Sequence, residues 1–272
     1  MVGVSRTAIG VGMLRAAHRL VDAEPWVIDD PVSVALFGDA VRAMLANQPS
    51  WFSDERRSAL RGHVLVRSAF AEERMRAAAL RGVRQYVALG AGFDTFAYRQ
   101  PAWMKGTRVF EVDAPATQAE KRRRLAQAHV AEPANVVFAA VDFECTSLLE
   151  GLCNAGFDAT QPAFFSWLGV MPYLTAAAVA SVFRFVASLP PGSEIAFTFA
   201  ARDVNESLAR KVAEIGEPFR TRIDREELEP MLCAFGFRDL RFLANDEAQM
   251  MLGARRDALL LPPRASIAAA IV

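Results

Sequence analysis

Between Tyr86 and Asp113 the chain reads YVALGAGFDTFAYRQPAWMKGTRVFEVD. An apolar strand over Gln85–Leu89 runs into the turn Gly90-Ala91-Gly92. A short helix follows, and a second strand, Arg108–Val112, leads into acids at Glu111 and Asp113. Two apolar strands joined by a helical crossover must lie parallel, with the crossover packed on one face of their sheet. In such sheets ligands sit outside the carboxyl ends of the strands. This stretch therefore restricts both the architecture and the place where a site can be.

The rest of the chain repeats the same alternation. A helix is expected from Pro115 to His129, a third strand over Asn135–Val141, a helix from Thr146 to Ala155 and a fourth strand over Ala163–Leu168. A helix over Ala176–Leu189 then precedes the turn Pro190-Pro191-Gly192 and a fifth strand, Glu194–Ala200. Helices near Asn205–Glu214 and Asp224–Phe235 follow, the second ending at Gly236 in the left-handed position. Arg238–Leu243 and Asp257–Leu261 are the expected last strands. The fold class is α/β, with a mostly parallel sheet and helices on both faces.

Residues 1–80 have a different texture. Ser5 caps a first helix, and Asp29-Asp30-Pro31 starts a second that runs to about Leu45. Ser53 or Asp54 starts a third region that reaches Leu80 with interruptions. This segment reads as a helical cap belonging to the same domain, closing over the ligand edge of a core spanning 81–272.

Composition excludes several classes. The 272 residues are 53% hydrophobic, with 31 basic and 31 acidic side chains, so the chain can build a large core and lacks a broad basic surface for nucleic acid. The basic run Lys121–Arg124 reads as a solvated helix face. Cys145, Cys153 and Cys233 lack metal-type spacing, so no metal is expected, and the odd number suggests reduced thiols in the cytoplasm. The N-terminus lacks the order of a signal peptide. The uncharged stretch between Asp158 and Arg184 is interrupted by Pro172 and polar residues, so a strand, turn and packed helix explain it better than a membrane span.

A Gly-x-Gly turn alone is compatible with an ordinary tight connection. The acid at Asp113, about 20 residues further on at a strand end, is placed to accept hydrogen bonds from ribose hydroxyls. A dinucleotide fingerprint wants a third glycine where Thr95 stands, and Asp94 beside it would repel a pyrophosphate. S-adenosylmethionine carries ribose and adenine without phosphate, and its sulfonium and ammonium groups suit an acid. The third strand ends at Val141-Asp142-Phe143, where a carboxylate can accept from the adenine amino group and a ring can pack on the base.

Leu89–Arg99 (LGAGFDTFAYR), Phe110–Arg123 (FEVDAPATQAEKRR), VDF at Val141–Phe143 and FFSWLGVMPYLT at Phe164–Thr175 together resemble the leucine carboxyl methyltransferase-like family, most closely its bacterial branch of S-adenosylmethionine-dependent O-methyltransferases. SRTAIGVGMLRAAHRL, IDDP and VLVRSAFAEERM extend the resemblance over nearly the whole chain. It implies a class I, Rossmann-like fold with a seven-stranded sheet and S-adenosyl-L-methionine as cofactor. It implies that Arg67 pairs with the methionine carboxylate, that Gly90, in the turn with Ala91 and Gly92, lies against the methionine part, and that Asp113 binds ribose with Glu111 supporting it. Asp142 and Phe143 match the adenine pair. The chain departs where eukaryotic members carry a Glu after the fourth strand. Leu168 stands there, which leaves the ammonium to backbone carbonyls, water or Asp94 and puts the protein-phosphatase C-terminus in doubt as substrate.

The expected reaction is O-methylation of a carboxylate or hydroxyl on a small molecule, without nucleic acid or membrane partners. The competing readings are a cofactor-binding protein without catalysis and a nicotinamide-dependent oxidoreductase. A carboxylate acceptor needs no base; a hydroxyl does. His18 and His63 in the helical segment and Tyr173 past the fourth strand are the candidates for substrate contact. His129 is expected in solvent. The residues name no catalytic base, and leave the oligomeric state open.

Overall fold

The computed structural model describes residues 3–144, 147–203, 206–253 and 259–272. Three helices come first: α1 (Arg6–Val21), α2 (Pro31–Asn47) and α3 (Glu55–Leu80). Each starts where a short polar side chain can accept from an otherwise unpaired N–H of the first turn. Ser5 accepts from Ala8, Asp30 from Ser33 and Asp54 from Arg57, at 3.1, 2.9 and 3.3 Å; such caps contribute about 1 kcal/mol each.

The alternating part follows as β1 (Gln85–Leu89), β2 (Arg108–Asp113), α4 (Pro115–Gln127), β3 (Val136–Ala140), α5 (Leu148–Asn154), β4 (Phe164–Trp167), α6 (Ala176–Ala187), β5 (Glu194–Thr198), α7 (Glu206–Glu214), α8 (Arg225–Phe235), β6 (Asp239–Phe242), α9 (Asn245–Met251) and β7 (Ile267–Ile271). Among the described residues they form a seven-stranded sheet in the order β3-β2-β1-β4-β5-β7-β6. All pairings are parallel except those of β7, which runs antiparallel to both neighbours.

Side-chain alternation divides the core into two layers. Val87, Phe110, Phe165 and Phe197 face Leu152 of α5, Phe183 of α6 and Leu232 of α8. Tyr86, Val109, Phe164 and Ala196 face Phe70 and Met75 of α3 and Ala248 of α9. The central strands are buried on both sides, which is why they read as continuous apolar runs rather than alternating ones.

Helix α3 runs unbroken for 26 residues, where the sequence suggests interruptions. Its apolar pattern is loose because it is covered on two sides. Val64 joins Phe37 and Phe52 in the helical layer, while Leu65, Val66 and Phe70 join the sheet core.

The last strand is not where the sequence placed it. Asp257 and Ala258 lie outside the described residues, and Leu259–Leu261 form no strand. Instead Leu260 donates its N–H to Ser58 on α3, and its carbonyl lies 2.0 Å from where a Cβ on Gly62 would stand, so only glycine accommodates that approach. The true strand, IAAAI at 267–271, is alanine-rich and weak in β-propensity. Pairing on both sides, to β5 and β6, overrides that preference.

Cys145 lies outside the described residues, and Cys153 and Cys233 are unpaired and exposed. No helix among the described residues is long and apolar enough to cross a membrane.

Candidate active site

The turn after β1 closes against the end of β2 through backbone groups. Ala91 N–H donates to Val112 O at 3.0 Å, and Gly92 N–H donates to Asp113 Oδ2 at 2.5 Å. Asp113 Oδ1 accepts from Ala114 N–H at 2.7 Å. Gly90 and Gly92 have φ of 63° and 46°, a backbone region that side chains disfavour. A Cβ on Gly90 would also fall 2.3 Å from Val170 Cγ2. Burial pushes the Asp113 carboxyl above its ordinary value, while the two N–H donors oppose this. Each carboxylate oxygen has two acceptor positions, so Asp113 can anchor the turn and still accept from a ligand.

Glu111 is differently placed. It is buried, pairs with Lys121 Nζ at 2.7 Å and accepts from the Tyr98 hydroxyl at 3.3 Å. Its carboxylate fastens α4 to β2, a supporting position rather than a free ligand group. Lys121 corrects the reading of the basic run as a solvated face. It is buried, whereas Arg122 and Arg123 are exposed. A four-residue run wraps round a helix, so one member was bound to face inward.

Asp94 accepts from Phe96 N–H at 2.8 Å and pairs with Arg15 at 3.2 Å. Burial disfavours its charge, but Arg15, Arg99 and Lys121 outweigh burial and hold the carboxyl below its ordinary value. Arg15 is the centre of a buried cluster that sequence reasoning missed. It bonds Asp30, Ser68 and Thr95 as well as Asp94. Thr95 donates to Asp30 at 2.6 Å, and Arg99 is paired with Glu72 and reaches Thr95. This cluster ties α1, α2 and α3 to the turn after β1. A single arginine on an amphipathic helix reads as a surface residue, so only the tertiary pairing reveals it. Beside it Ser68, Glu72, Tyr86, Asp94, Phe96 and Leu168 line a small cavity.

The first turn of α1 lies over the same edge. Ser5 N–H donates to Thr117 at the start of α4, and the Arg6 and Thr7 N–H groups donate to Glu217 beyond α7 at 2.7 and 3.2 Å. Ala8 Cβ stands 3.2 Å from a Cβ position on Gly92. Tyr173 packs edge-on against Phe219, with ring centroids 5.3 Å apart, and hydrogen-bonds Thr7.

Arg67 differs from the other buried arginines. It is buried on α3, and among the described residues it forms no ion pair; its Nε has no hydrogen-bond partner. Its terminal nitrogens lie 2.6 and 2.9 Å from a Cβ position on Gly169, just past β4. Burial pushes the guanidinium down to about 10, partly offset by Tyr173. A buried cation without a counter-ion costs several kcal/mol, so the site is suited to an anion such as a carboxylate.

Asp142, in the loop after β3, accepts from Glu144 N–H at 3.0 Å, which holds its carboxyl below the ordinary value. Phe143 is half-buried against the core. The ends of β3, β2, β1 and β4 are consecutive in the sheet. Asp142, Asp113, the glycine turn and Arg67 therefore line one edge about 14 Å long, from three strand spacings of roughly 4.8 Å.

His18 is engaged within the helical segment. It is fully buried, its Nδ1 faces Asp22 at 2.8 Å and its Nε2 accepts from Val27 N–H at 3.0 Å. Nε2 being the acceptor, Nδ1 carries the proton, and Asp22 is also held by both arms of Arg61. Both ring nitrogens thus fasten the end of α1. His63 is half-buried on α3, one turn before Arg67, and its Nδ1 is buried without a partner. His129 is exposed.

The sequence pattern of the leucine carboxyl methyltransferase family matches residues 8–187, more than half of the chain. The chain belongs to the leucine carboxyl methyltransferase family. Its relatives include the Bacillus subtilis protein named "Putative S-adenosyl-L-methionine-dependent methyltransferase YktD", 35% identical over 67% of this chain. That match spans 63% of the Bacillus protein's length. A Mycolicibacterium smegmatis protein with the same functional name is 32% identical over 81% of this chain and 72% of its own length. Among solved structures, a "putative methyltransferase" from Thermobifida fusca superposes with a TM-score of 0.57 at 21% identity, covering 88% of this chain and 91% of that one. A DUF574 family protein from Streptomyces avermitilis superposes at 0.54 with 19% identity, covering 95% of each. The fold is the class I methyltransferase sheet, and the family's N-terminal match takes in α1, α2 and α3 as well as the sheet edge.

Proposed function

We propose that the protein is an S-adenosylmethionine-dependent methyltransferase acting on an oxygen of a small molecule. Family membership supports the methyl transfer and the donor. The observation that carries the geometric side is Arg67, a buried guanidinium that forms no ion pair among the described residues and lies against Gly169, on the same sheet edge as the glycine turn and the strand-end acid. A nucleoside joined to an amino acid needs those three features in that order along one edge.

When bound, S-adenosylmethionine supplies a methyl group on a positively charged sulfur. The chain's residues do the rest by positioning. Arg67 would hold the methionine carboxylate, and Asp113 would accept from the ribose hydroxyls while its other acceptor positions keep Gly92 and Ala114 in place. Asp142 and Phe143 would hold adenine. Asp94, with Leu168 in place of an acid, would accept from the ammonium, and Arg15 keeps it ionised. Residues 1–80 act as a cap. The first turn of α1, bonded to Thr117 and Glu217, covers the edge and favours a small acceptor over a protein tail.

The test is ligand binding followed by turnover. S-adenosylhomocysteine and S-adenosylmethionine should raise the melting temperature, and NAD should not. With donor bound, radiolabelled methyl should pass to oxygen acceptors, as alkali-labile esters from carboxylates or stable ethers from hydroxyls. Stabilisation by NAD alone would refute the reading. Donor binding with no transfer to any oxygen or nitrogen acceptor would leave a binding protein without catalysis.

A further inference from the structure

Helix α3 has a direction that places His63. Near its C-terminal end Arg74 and Arg81 pair with Glu194, the first residue of β5, at the amino edge of the sheet. Further back Arg67 lies against Gly169, past the carboxyl end of β4. The helix thus crosses the sheet from edge to edge, and four residues more, about 6 Å of rise, carry His63 beyond the carboxyl edge. Still further back Arg56 reaches Ser207 on α7, at 3.4 Å. His63 therefore stands between the donor edge and α7, on the face of α3 that carries Arg67. Among the described residues it forms no hydrogen bond, in contrast to His18, whose two nitrogens are both engaged.

We propose that His63 is the acceptor-side base, taking the proton of a hydroxyl acceptor such as a phenol or enol as its oxygen is methylated. This deepens the reading of the protein as a methyltransferase and rests on it. The hydroxyl oxygen's electron pair forms the new O–C bond, the C–S pair returns to sulfur as a neutral thioether, and the hydroxyl proton passes to the imidazole and then to water. A carboxylate acceptor, already ionised, would have no use for such a group. Burial first, and Arg67 second, push the His63 imidazolium down to about 3, so the ring is neutral with a lone pair available. Arg67 is the charged group acting on it; none from another packed element does so among the described residues. A carboxylate brought against Arg67 offsets the second of these causes, while burial, the larger, remains.

The first experiment needs no acceptor. S-adenosylhomocysteine is titrated into histidine-labelled protein, and the His63 imidazole is followed by NMR against pH. Its titration should move upward on binding, because the Arg67 charge is offset; binding without that movement overturns the proposal. Calorimetry with S-adenosylhomocysteine on wild type and His63→Gln should give affinities within about threefold, which separates this proposal from the donor reading: no binding to wild type sinks the latter. With wild type, phenols and enols should be methylated in preference to carboxylic acids. His63→Gln, checked to melt as wild type does, should lose about 100-fold in kcat with those hydroxyl acceptors, at the lower end for general bases, and recover part of it as pH rises and the acceptor ionises unaided. Preference for carboxylic acids, or unchanged kcat and pH profile in the variant, refutes the role.

Discussion

The carboxyl edge of β1 and β2 and the inner surface of α1, α2 and α3 face each other and are built by opposite means. The edge is held by short-range backbone groups: Gly92 and Ala114 N–H on Asp113, and Ala91 N–H on the neighbouring strand. The helical side is held by charged side chains from distant positions, Arg15 to Asp30 and Asp94, Arg61 to Asp22, and Arg99 to Glu72. One side can stay rigid while accommodating a ligand. The other depends on every ion keeping its partner, because an unpaired buried charge is costly. Arg67 belongs to the helical side by position and has no such partner among the described residues, which is why we propose that it serves the ligand.

The largest effect should come from breaking the helical cluster. Arg15→Leu strands Asp30 and Asp94, and chemical denaturation should show a loss of about 3–5 kcal/mol. Arg67→Met should act oppositely. Calorimetry with S-adenosylhomocysteine should show affinity reduced by about 2–4 kcal/mol, while the ligand-free protein melts no lower than wild type, since a buried unpaired charge has been removed. If Arg67→Met instead melts well below wild type, the contrast between the two arginines fails. Asp113→Ala should weaken ligand binding and cost about 1–3 kcal/mol of stability as well, because it leaves two N–H groups without their acceptor. Unchanged affinity in a folded Asp113→Ala protein would remove its ribose role.

The smallest effect is in pH. The Asp30, Asp94 and Asp22 carboxyls are held below their ordinary value, because Arg15 and Arg99 at Asp30 and Asp94, and His18 with Arg61 at Asp22, outweigh burial. Their stabilisation is present above the unfolded value near 3.8 and is lost as pH falls through the lower folded values. Asp113 and Glu111 are raised by burial, so protonation relieves rather than weakens the sheet edge. Hydrogen exchange below about pH 4 should therefore show α1 and α2 opening before β1 and β2; the reverse order would break the comparison.

The donor edge was legible because its signals are local. A glycine turn after an apolar run and an acid about 20 residues later report backbone conformation directly. The family match at Arg67 was legible only as a resemblance, since a helix arginine is by itself an ordinary surface residue. The helical cluster was not legible, because Arg15 and Asp94 are 79 positions apart and no periodicity links them. Lys121 was misjudged for the same reason, and the partners of His18 went unseen: they are a strand acid and a loop N–H that no local pattern announces. The alanine strand at 267–271 was overlooked because its neighbours, not its side chains, make it a strand.

The order of strands from β1 to β6, the caps at Ser5 and Asp30, and the place of the ligand turn followed from the amino-acid sequence alone, since each depends on residues a few positions apart. Tertiary structure decided which charges pair, that Arg67 is buried without an ion-pair partner among the described residues, and that both ring nitrogens of His18 are engaged while the buried Nδ1 of His63 is not. Burial decides these matters, since it raises the cost of every unpaired polar group, and it exists only once distant segments have met.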